Sequence, residues 1–279
     1  MATGRFAGRR AVVTGASRGI GAASAVRLAS EGAAVAITAR TVDTHPTLPG
    51  SLRDTAERVR AVGGDAATIA ADLSDDADRA RVVPEAADAL GGPIDILVNN
   101  AAAAMYNDLS TFTLKRRRLM FEINLHAPLD LAQAAIPSMR DRGEGWIVNV
   151  SSATAKLFTG PPFRMGFTGA TTGIYGASKS ALNRMTNALG AELWGTGIRV
   201  NTVEPRAAVL SEGADALVGD QLRPEQIEPM EAMVEAIVAL CDCPPERTGR
   251  VHVSLDLIDE LGLEVHGLDG GYIAPAEGR

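Results

Sequence analysis

The feature that most constrains the fold of this chain is a regular alternation of short apolar segments with longer amphipathic ones. The apolar segments are predicted strands at 10–14, 34–39, 66–71, 94–98, 146–150 and 198–203, with a last strand within 250–268. They are apolar almost throughout rather than at every second position, which is typical of strands buried on both faces. Buried strands separated by helices predict an α/β fold, a doubly wound parallel sheet of about seven strands with helices on both faces.

The predicted helices lie between these strands, at 20–30, 51–62, 75–90, 112–140, 175–193 and 225–240. Ser51 is the predicted N-cap of the second helix, because its hydroxyl can accept a hydrogen bond from a free amide of the first turn. No linker or internal repeat interrupts the pattern. We therefore predict one domain over residues 1–279, with 46% hydrophobic residues to form its core.

Charge and hydropathy exclude several classes of partner. The net charge of −7 gives no electrostatic basis for binding nucleic acid. No apolar run approaches the roughly 20 residues that cross a bilayer, and no signal or targeting sequence is recognised, so a cytoplasmic protein without membrane partners is expected. Cys241 and Cys243 are too close for a structural disulfide and too few for a zinc site, so no metal is expected.

A glycine cluster follows the first predicted strand. Gly15, Gly19 and Gly21 lie where that strand passes into the first helix. Glycines permit a tight turn there, and they let backbone N–H groups approach a diphosphate at the helix N-terminus. The spacing differs from the common G-x-G-x-x-G pattern, so the placement between strand and helix carries the prediction of nucleotide binding.

A second informative pattern is the pair Tyr175 and Lys179, four residues apart at the start of a predicted helix. This spacing places both side chains on one helical face. An ammonium beside a phenol favours the phenolate, so we expect Lys179 to lower the pKa of Tyr175 and make it a proton donor near neutral pH. Many surface helices carry Tyr and Lys at this spacing, so the pattern is weak by itself.

Taken in order along the chain, the motifs resemble those of the short-chain dehydrogenase/reductase family. The resemblance covers about residues 8–272. It rests on the loop Thr14 to Gly21, Asp72 in Ala-Asp-Leu-Ser-Asp, Asn99-Asn100-Ala101-Ala102, Asn124, Ser152, Tyr175 with Lys179, Arg199-Val200-Asn201, and Asp269-Gly270-Gly271.

The resemblance implies a single Rossmann-type domain and assigns roles to individual residues. Tyr175 is the implied general acid/base and Ser152 the hydrogen-bond donor to the substrate oxygen. Lys179 holds the nicotinamide ribose, and Asn124 holds a water that links the lysine to solvent, although a buried asparagine that satisfies backbone groups is the alternative. The implied cofactor-binding residues are Gly15, Ser17, Arg18, Gly19, Ile20, Gly21, Arg40, Asp72, Leu73, Asn100, Ala101, Tyr175, Lys179 and Pro205.

The charges around the second strand favour NADP(H), with NAD(H) as the other possibility. A free ribose 2′-hydroxyl is usually held by an acid after this strand, whereas a 2′-phosphate is held by arginine. Here the strand ends at Arg40, and Arg18 lies in the glycine loop. Asp43 lies close by and complicates this interpretation, and Arg40 pointing to solvent is the alternative.

Several features depart from the family pattern. The stretch 153–174 is longer than usual, and Phe158, Phe163, Met165 and Phe167 make it apolar. We expect it to form a wall of the substrate pocket, with a loop packed on the core or on a neighbouring subunit as the alternative.

Other departures concern single positions. Arg206 replaces the usual glycine after Pro205, Ala102 replaces another, and Ser211 is the nearest match to an expected threonine. His45 and His126 match no catalytic position and are interpreted as solvated or packed. The basic run 115–118 is interpreted as a solvated helix face.

These observations predict an NADP(H)-dependent oxidoreductase that transfers a hydride between nicotinamide and an apolar ketone or secondary alcohol. An isomerase or dehydratase using the same residues is one alternative. A non-catalytic NADP(H)-binding sensor or scaffold is another, which Arg206 keeps open. The resemblance also implies a homo-oligomer, a dimer or tetramer packed through the helix after the fourth strand and the helix of Tyr175. Trp194 is placed either at that contact or in the core.

Overall fold

The computed structural model describes residues 4–165 and 169–271 of the chain. A sheet of seven parallel strands forms its centre, in the order β3-β2-β1-β4-β5-β6-β7. The strands are β1 Arg10–Thr14, β2 Ala34–Ala39, β3 Ala66–Ala70, β4 Ile96–Asn99, β5 Gly145–Val150, β6 Ile198–Glu204 and β7 Val251–Val253. The predicted doubly wound sheet is confirmed, and the boundaries of the first six strands are within two residues of those predicted.

Helices cover both faces of this sheet. They are α1 Gly19–Ser30, α2 Leu52–Ala61, α3 Asp76–Ala89, α4 Leu114–Phe121, α5 Ala127–Arg142, α6 Gly173–Glu192, α7 Glu212–Val218, α8 Met230–Leu240 and α9 Ser254–Leu261. One core lies between the sheet and helices α1, α2, α8 and α9, where Val26 and Ile237 pack together. The other lies under α3, α5 and α6, around Val82 and Leu131. Ser51 caps α2 as predicted, its hydroxyl accepting a hydrogen bond from Asp54 N at 3.1 Å.

Three helix predictions need correction. The stretch 112–140 is interrupted by a π-helical turn at Glu122–His126 between α4 and α5. The helix predicted from 225 begins at Met230, because Pro229 occupies the preceding position. Helix α7 was not predicted, since Gly213 and only seven residues give too little periodicity to recognise.

The strand order places a crevice at the centre of the sheet. The chain moves outward from β1 through β2 to β3 and then returns to β4 on the other side of β1. Helices that connect the two halves lie on opposite faces, so a gap opens beyond the carboxyl ends of β1 and β4. The candidate site lies at this edge.

Candidate active site

The glycine loop is built at the carboxyl end of β1. Gly15 and Gly19 have φ values of +63° and +57°, which side chains rarely adopt. A Cβ on Gly15 would lie 2.7 Å from Ala101 Cα, and one on Gly21 would lie 2.4 Å from Asn100 Nδ2. The glycines therefore let the loop touch the turn after β4 and leave the first amides of α1 facing the crevice.

Thr14 opens the predicted glycine loop but is not among the individual cofactor-binding residues predicted from the sequence. Its hydroxyl oxygen accepts hydrogen bonds from Asn100 N and Ala101 N, both at 3.0 Å. Asn100 Nδ2 in turn donates to Thr14 O at 2.9 Å and to Gly15 O at 3.2 Å. Thr14 thus fixes the predicted cofactor residues Asn100 and Ala101 against the glycine loop. Its position as the last residue of β1 was the available signal.

Arg18 is already bound within the protein. Its guanidinium donates to Pro49 O and Gly50 O, each at 2.8 Å. The loop after β2 is thereby fastened to the glycine loop. Ser17 and Ile20 lie beside Arg18, Ser17 buried and Ile20 half-buried.

Arg40 and Asp72 lie at the outer end of the crevice. Arg40 Nη1 is 4.0 Å from Asp72 Oδ2, and both side chains are substantially exposed. Asp72 Oδ1 also accepts from Ser74 Oγ at 2.8 Å, while the neighbouring Leu73 is buried. Asp43, the acid that complicated the cofactor prediction, is paired with Arg53, whose Nε lies 2.7 Å from Asp43 Oδ1.

Ser152 and Tyr175 meet at the carboxyl end of β5. Ser152 is the second residue after β5, and its oxygen accepts from Thr154 N at 3.2 Å and Thr154 Oγ1 at 2.9 Å. A hydrogen bond from Ser152 reaches the Tyr175 hydroxyl. Gly176 permits this approach, because a Cβ there would lie 2.3 Å from Thr154 O. The turn after β5 and the start of α6 are thus in contact.

The pKa expected for Tyr175 is not what the structure gives. Burial raises the pKa of the Tyr175 phenol well above its usual value, the nearby Tyr106 raises it further, and the hydrogen bond from Ser152 offsets only part of this. Lys179 Nζ lies 5.9 Å from the centre of the Tyr175 ring. At that distance its effect does not overcome desolvation, so Tyr175 is a protonated phenol at neutral pH.

Lys179 is a buried cation with few protein partners. Its side chain is 2% exposed, and among the described residues Val150 O is its one hydrogen-bond acceptor, 2.7 Å from Nζ. Burial lowers the pKa of Lys179 to about 8. Two of its three N–H donors are therefore available to a ligand in the crevice.

Asn124 lies in the π-helical turn and is fully buried. Its Oδ1 accepts from Ala103 N at 2.8 Å, and its Nδ2 donates to Ala103 O and to Ser178 Oγ, both at 2.9 Å. Ser178 Oγ donates on to Tyr175 O at 2.7 Å. The side chain therefore joins the turn after β4 to the helix of Tyr175, as the alternative interpretation expected. Its role in holding a water stays a prediction.

Tyr106 is a second phenol that no motif indicated. Its ring centre lies 5.8 Å from that of Tyr175, with the planes inclined at 53°. The side chain is half-buried, and burial raises the pKa of Tyr106. Tyr106 therefore forms one wall beside the Tyr175 hydroxyl.

The long segment before α6 does not pack on the core. Within its described part, Leu157, Phe158, Phe163 and Met165 are all exposed, with Leu157 at 92%. Phe167 lies outside the described residues. The core-packing alternative is therefore wrong for 157–165, which leaves the pocket wall and the subunit contact for that part of the segment.

The end of β6 departs from the family pattern without obstructing the crevice. Arg206 donates through its backbone N to Glu228 Oε2 at 2.8 Å, and its guanidinium pairs with Asp256 of α9. The Arg206 side chain, which stands where the family has glycine, thus points towards α9. Glu204 is the buried last residue of β6, and its Oε1 lies 3.1 Å from Lys156 Nζ. This ion pair attaches the start of the exposed segment to β6.

Helix α7 closes over the glycine loop. A Cβ on Gly19 would lie 2.7 Å from Ser211 Cβ and 3.4 Å from Glu212 Oε2. Ser211 also caps α7 by accepting from Ala214 N at 3.3 Å. Glu212 Oε2 is buried and has no hydrogen-bond partner among the described residues. Ser211, the nearest match to the expected threonine, is therefore at the site, next to a carboxylate oxygen that has no hydrogen-bond partner in the described part of the chain.

The remaining candidates lie elsewhere. His45 Nδ1 accepts from Leu48 N at 3.1 Å and stabilises a loop, and His126 is exposed. Cys241 and Cys243 are buried free thiols, Cys241 lying at the end of α8. Over residues 4–165 and 169–271, no group of His, Cys, Asp and Glu has an arrangement that could hold a metal ion. None of the helices in this part of the chain is long and apolar enough to cross a membrane.

Comparison with known proteins defines the class. Residues 9–217 match the family model described as short chain dehydrogenase. The chain therefore belongs to the short-chain dehydrogenase family, a Rossmann-type family of oxidoreductases.

Among curated proteins, hydroxysteroid dehydrogenase-like protein 2 from Danio rerio is 32% identical over 273 residues, which is 97% of this chain and 63% of that protein. The chain thus spans less than two-thirds of this relative. A short chain dehydrogenase structure from Mycobacterium thermoresistibile has a TM-score of 0.79 at 29% identity and covers 96% of this chain and 93% of its own. A 3-oxoacyl-(acyl-carrier-protein) reductase from Agrobacterium tumefaciens with NADP bound has a TM-score of 0.73 at 29% identity, covering 89% and 93%.

Proposed function

We propose that the protein is an NADP(H)-dependent oxidoreductase that interconverts an apolar ketone and its secondary alcohol. The observation that carries the proposal is the convergence of Ser152, Tyr175 and Lys179 at the edge where the glycine loop faces the same crevice. Family membership supports oxidoreductase chemistry. Arg206 is the feature that keeps a non-catalytic sensor open as the alternative, and its guanidinium pairs with Asp256 of α9.

The residues fit a dinucleotide in two ways. The glycine loop has no room for side chains where it meets Asn100 and Ala101, so its amides form a cradle for a diphosphate. Lys179 has N–H donors without acceptors among the described residues, and these donors suit the ribose hydroxyls next to the nicotinamide. When bound, the nicotinamide supplies or accepts the hydride.

The protein's own residues handle the proton. In reduction, Tyr175 donates its phenolic proton to the carbonyl oxygen as that oxygen gains negative charge. Ser152 donates a hydrogen bond to the same oxygen and stabilises the charge. The raised pKa keeps Tyr175 protonated at neutral pH, which suits the reductive direction. Asn124 supports the arrangement by holding Ser178 against the Tyr175 carbonyl.

We infer a preference for NADP(H) from the charges at the outer end of the crevice. Asp43 is neutralised by Arg53, so it does not compete for a ribose hydroxyl. Arg40 is exposed and only loosely paired, at 4.0 Å from Asp72, and is available to a 2′-phosphate. Arg18 contributes by placing its charge nearby while it holds the loop after β2. The NADP bound to the Agrobacterium reductase supports the same choice.

We further infer an apolar substrate and a homo-oligomer. The exposed apolar side chains of 157–165 follow Ser152 and precede Tyr175, which places an apolar wall beside the chemistry. Trp194, just after α6, is 62% exposed, which excludes a core position and supports a subunit contact there. A dimer or tetramer is predicted through the helical stretch 112–140 and the helix of Tyr175, and the exposed Trp194 agrees with it.

The replacement Tyr175→Phe tests the catalytic proposal. It removes the proton donor and keeps the ring against Tyr106, so kcat for reduction of apolar ketones should fall by about 10²-fold or more. NADPH affinity, measured by fluorescence titration, should stay within a few-fold of the original. A variant that retains turnover would show that Tyr175 is not the acid.

Titration with both cofactors tests the second part of the proposal. NADPH should bind at least tenfold more tightly than NADH, and Arg40→Ser should remove most of this difference without changing NADH affinity. Tighter binding of NADH by the unmodified protein would contradict the assignment.

A further inference from the structure

The ion pair of Lys156 and Glu204 is the last polar attachment of the chain before the exposed segment 157–165. Lys156 Nζ lies 3.1 Å from Glu204 Oε1. Beyond Lys156, no hydrogen bond or ion pair among the described residues joins 157–165 to the rest of the protein. Arg164 N donates to Thr159 O at 2.7 Å, but this bond closes a turn within the segment. The direction in which the segment leaves the fold therefore depends on the ion pair.

The sheet places Glu204 beside the catalytic serine. Strands β5 and β6 are parallel neighbours, with Val150 opposite Val203. Ser151 N donates to Val203 O at 2.8 Å, one residue beyond the end of β5. Glu204 follows Val203, and Ser152 follows Ser151. The ion pair thus lies at the edge of the sheet where the crevice opens.

Helix α6 holds the other side of the turn between Ser152 and Lys156. Ala155 N donates to Ser152 O at 2.9 Å and closes the turn. Ser180 Oγ of α6 donates to Ala155 O at 2.5 Å. The chain is therefore fixed by α6 and by β6 as far as Lys156, and the apolar side chains that follow are fixed only through it.

The two charges of the pair have very different surroundings. The Glu204 side chain is 2% exposed and that of Lys156 is 63% exposed. A buried carboxylate loses its hydration and needs a cation or hydrogen-bond donors in exchange, and Lys156 is its one ion-pair partner in the described part of the chain. Salt and water screen a half-buried pair less than a surface pair. Apolar replacement of a buried pair is often neutral or stabilising, so stability alone does not explain a carboxylate here.

We propose that Lys156 and Glu204 are positioning residues for substrate specificity, and that their ion pair holds segment 157–165 as the apolar wall of the pocket beside Ser152. The inference rests on the proposed function and deepens it. The wall contacts the apolar part of the ketone and not its carbonyl. Recognition of a long alkyl chain therefore depends on the ion pair, whereas proton transfer from Tyr175 does not.

Two methyl ketones with the same reacting group test the proposal. 2-Decanone and 2-butanone differ in the length of the alkyl chain, and kcat/KM should be at least tenfold higher for 2-decanone, because its additional methylenes lie against the wall. Glu204→Gln and Lys156→Met each break the ion pair. Each should lower this ratio by about tenfold through a higher KM for 2-decanone rather than a lower kcat.

Two further variants serve as controls for the kinetic test. Lys156→Arg keeps the positive charge and should keep most of the preference for 2-decanone. Glu260→Gln removes the carboxylate of another ion pair, in which Arg247 Nη2 lies 2.8 Å from Glu260 Oε1, and should leave the ratio unchanged.

Limited digestion with trypsin gives a readout that needs no substrate. Cleavage after Arg164 requires the segment to open locally and enter the protease. In Glu204→Gln and Lys156→Met this bond should be cleaved about tenfold faster, and in the double variant no faster than in either single one, since each change alone removes the interaction. Lys156→Arg and Glu260→Gln should be cleaved there at the original rate. Faster cleavage throughout the chain would show a general loss of stability and would contradict the proposal.

The outcomes separate this inference from the proposed function. If either ketone is reduced and the ratio is unchanged in both variants, the inference is overturned and the function stands. Faster cleavage with an unchanged ratio would show that the pair holds a segment that does not contact the substrate. A lower mass by light scattering with an unchanged ratio would make 157–165 a subunit contact, which also overturns the inference. If the unmodified protein reduces no ketone with NADPH, the proposed function is wrong and the specificity role falls with it, while the cleavage rates still decide whether the pair holds the segment.

Discussion

The buried ammonium of Lys179 lowers the stability of the folded protein and is at the same time placed to bind a ligand. Burying a charged ammonium without a carboxylate beside it costs free energy, because the ammonium loses its hydration. Here burial lowers the pKa of Lys179 from 10.5 to about 8. The hydrogen bond to Val150 O does not compensate for this desolvation. A site that keeps such a cation uses it for a ligand that arrives with its own hydrogen-bond acceptors.

The charge of Lys179 should govern cofactor capture at high pH. Because the pKa is lowered to about 8, the ammonium is present below that pH and is lost as the pH rises through it. We expect kcat/KM for NADPH to be level between pH 7 and about 8 and then to decrease by up to tenfold per pH unit, since this parameter reports ionisations of the free enzyme.

The variant Lys179→Arg provides the comparison, because its guanidinium stays charged throughout this range. Whatever activity it retains should show no decrease until a higher pH. A level profile to pH 10 in the unmodified protein would show that the charge is not required.

At the scale of elements, α7 is the part of the site that sequence reasoning could not foresee. It is short, and its two important residues match no strict motif. Ser211 and Glu212 nevertheless lie against Gly19, where a diphosphate would approach the loop. The buried, unpaired oxygen of Glu212 adds negative charge beside that position.

We therefore expect Glu212→Gln to strengthen cofactor binding. Removal of one negative charge next to the diphosphate should lower the Kd of NADPH by about three- to tenfold, as judged from typical energies of like charges near a surface. Fluorescence titration measures this directly, and Glu225→Gln in the following loop is a control of equal charge. If Kd is unchanged, α7 moves away from Gly19 when the cofactor binds.

The predictability of each element follows from the physics that determines it. Strands such as β5 and β6 were predicted almost to the residue, because burial on both faces requires uninterrupted apolar side chains. The π-helical turn was missed, because Glu122–His126 has an ordinary helical composition and only tertiary contacts of Asn124 distinguish it. Tyr175 and Lys179 were predicted from their spacing and Ser152 from the family resemblance, whereas Tyr106 acts through a contact with Tyr175 that no local pattern records.

At the scale of the molecule, the exposed indole of Trp194 is the best indication of how copies associate. It lies two residues beyond α6, beside Gly190 and Gly249, whose backbones approach closely. A tryptophan that is 62% exposed offers a large apolar surface for a subunit contact.

Trp194→Glu should therefore weaken association. We expect light scattering with size-exclusion chromatography to show a shift towards the monomer, or towards the dimer if the protein is a tetramer. Val42→Glu places the same charge on an exposed apolar position elsewhere and should leave the mass unchanged. If both variants keep the original mass, the subunits do not meet at this end of α6.

The order of strands in the sheet bears on how such a protein can be changed. The residues proposed to hold the adenosine end follow β1, β2 and β3, whereas Ser152 and the exposed segment follow β5, on the other side of the gap between β1 and β4. Changes at sites this far apart and without shared partners combine almost additively. Substitutions can therefore change the cofactor preference without changing the substrate preference, and the reverse, so that selection can act on the two properties independently.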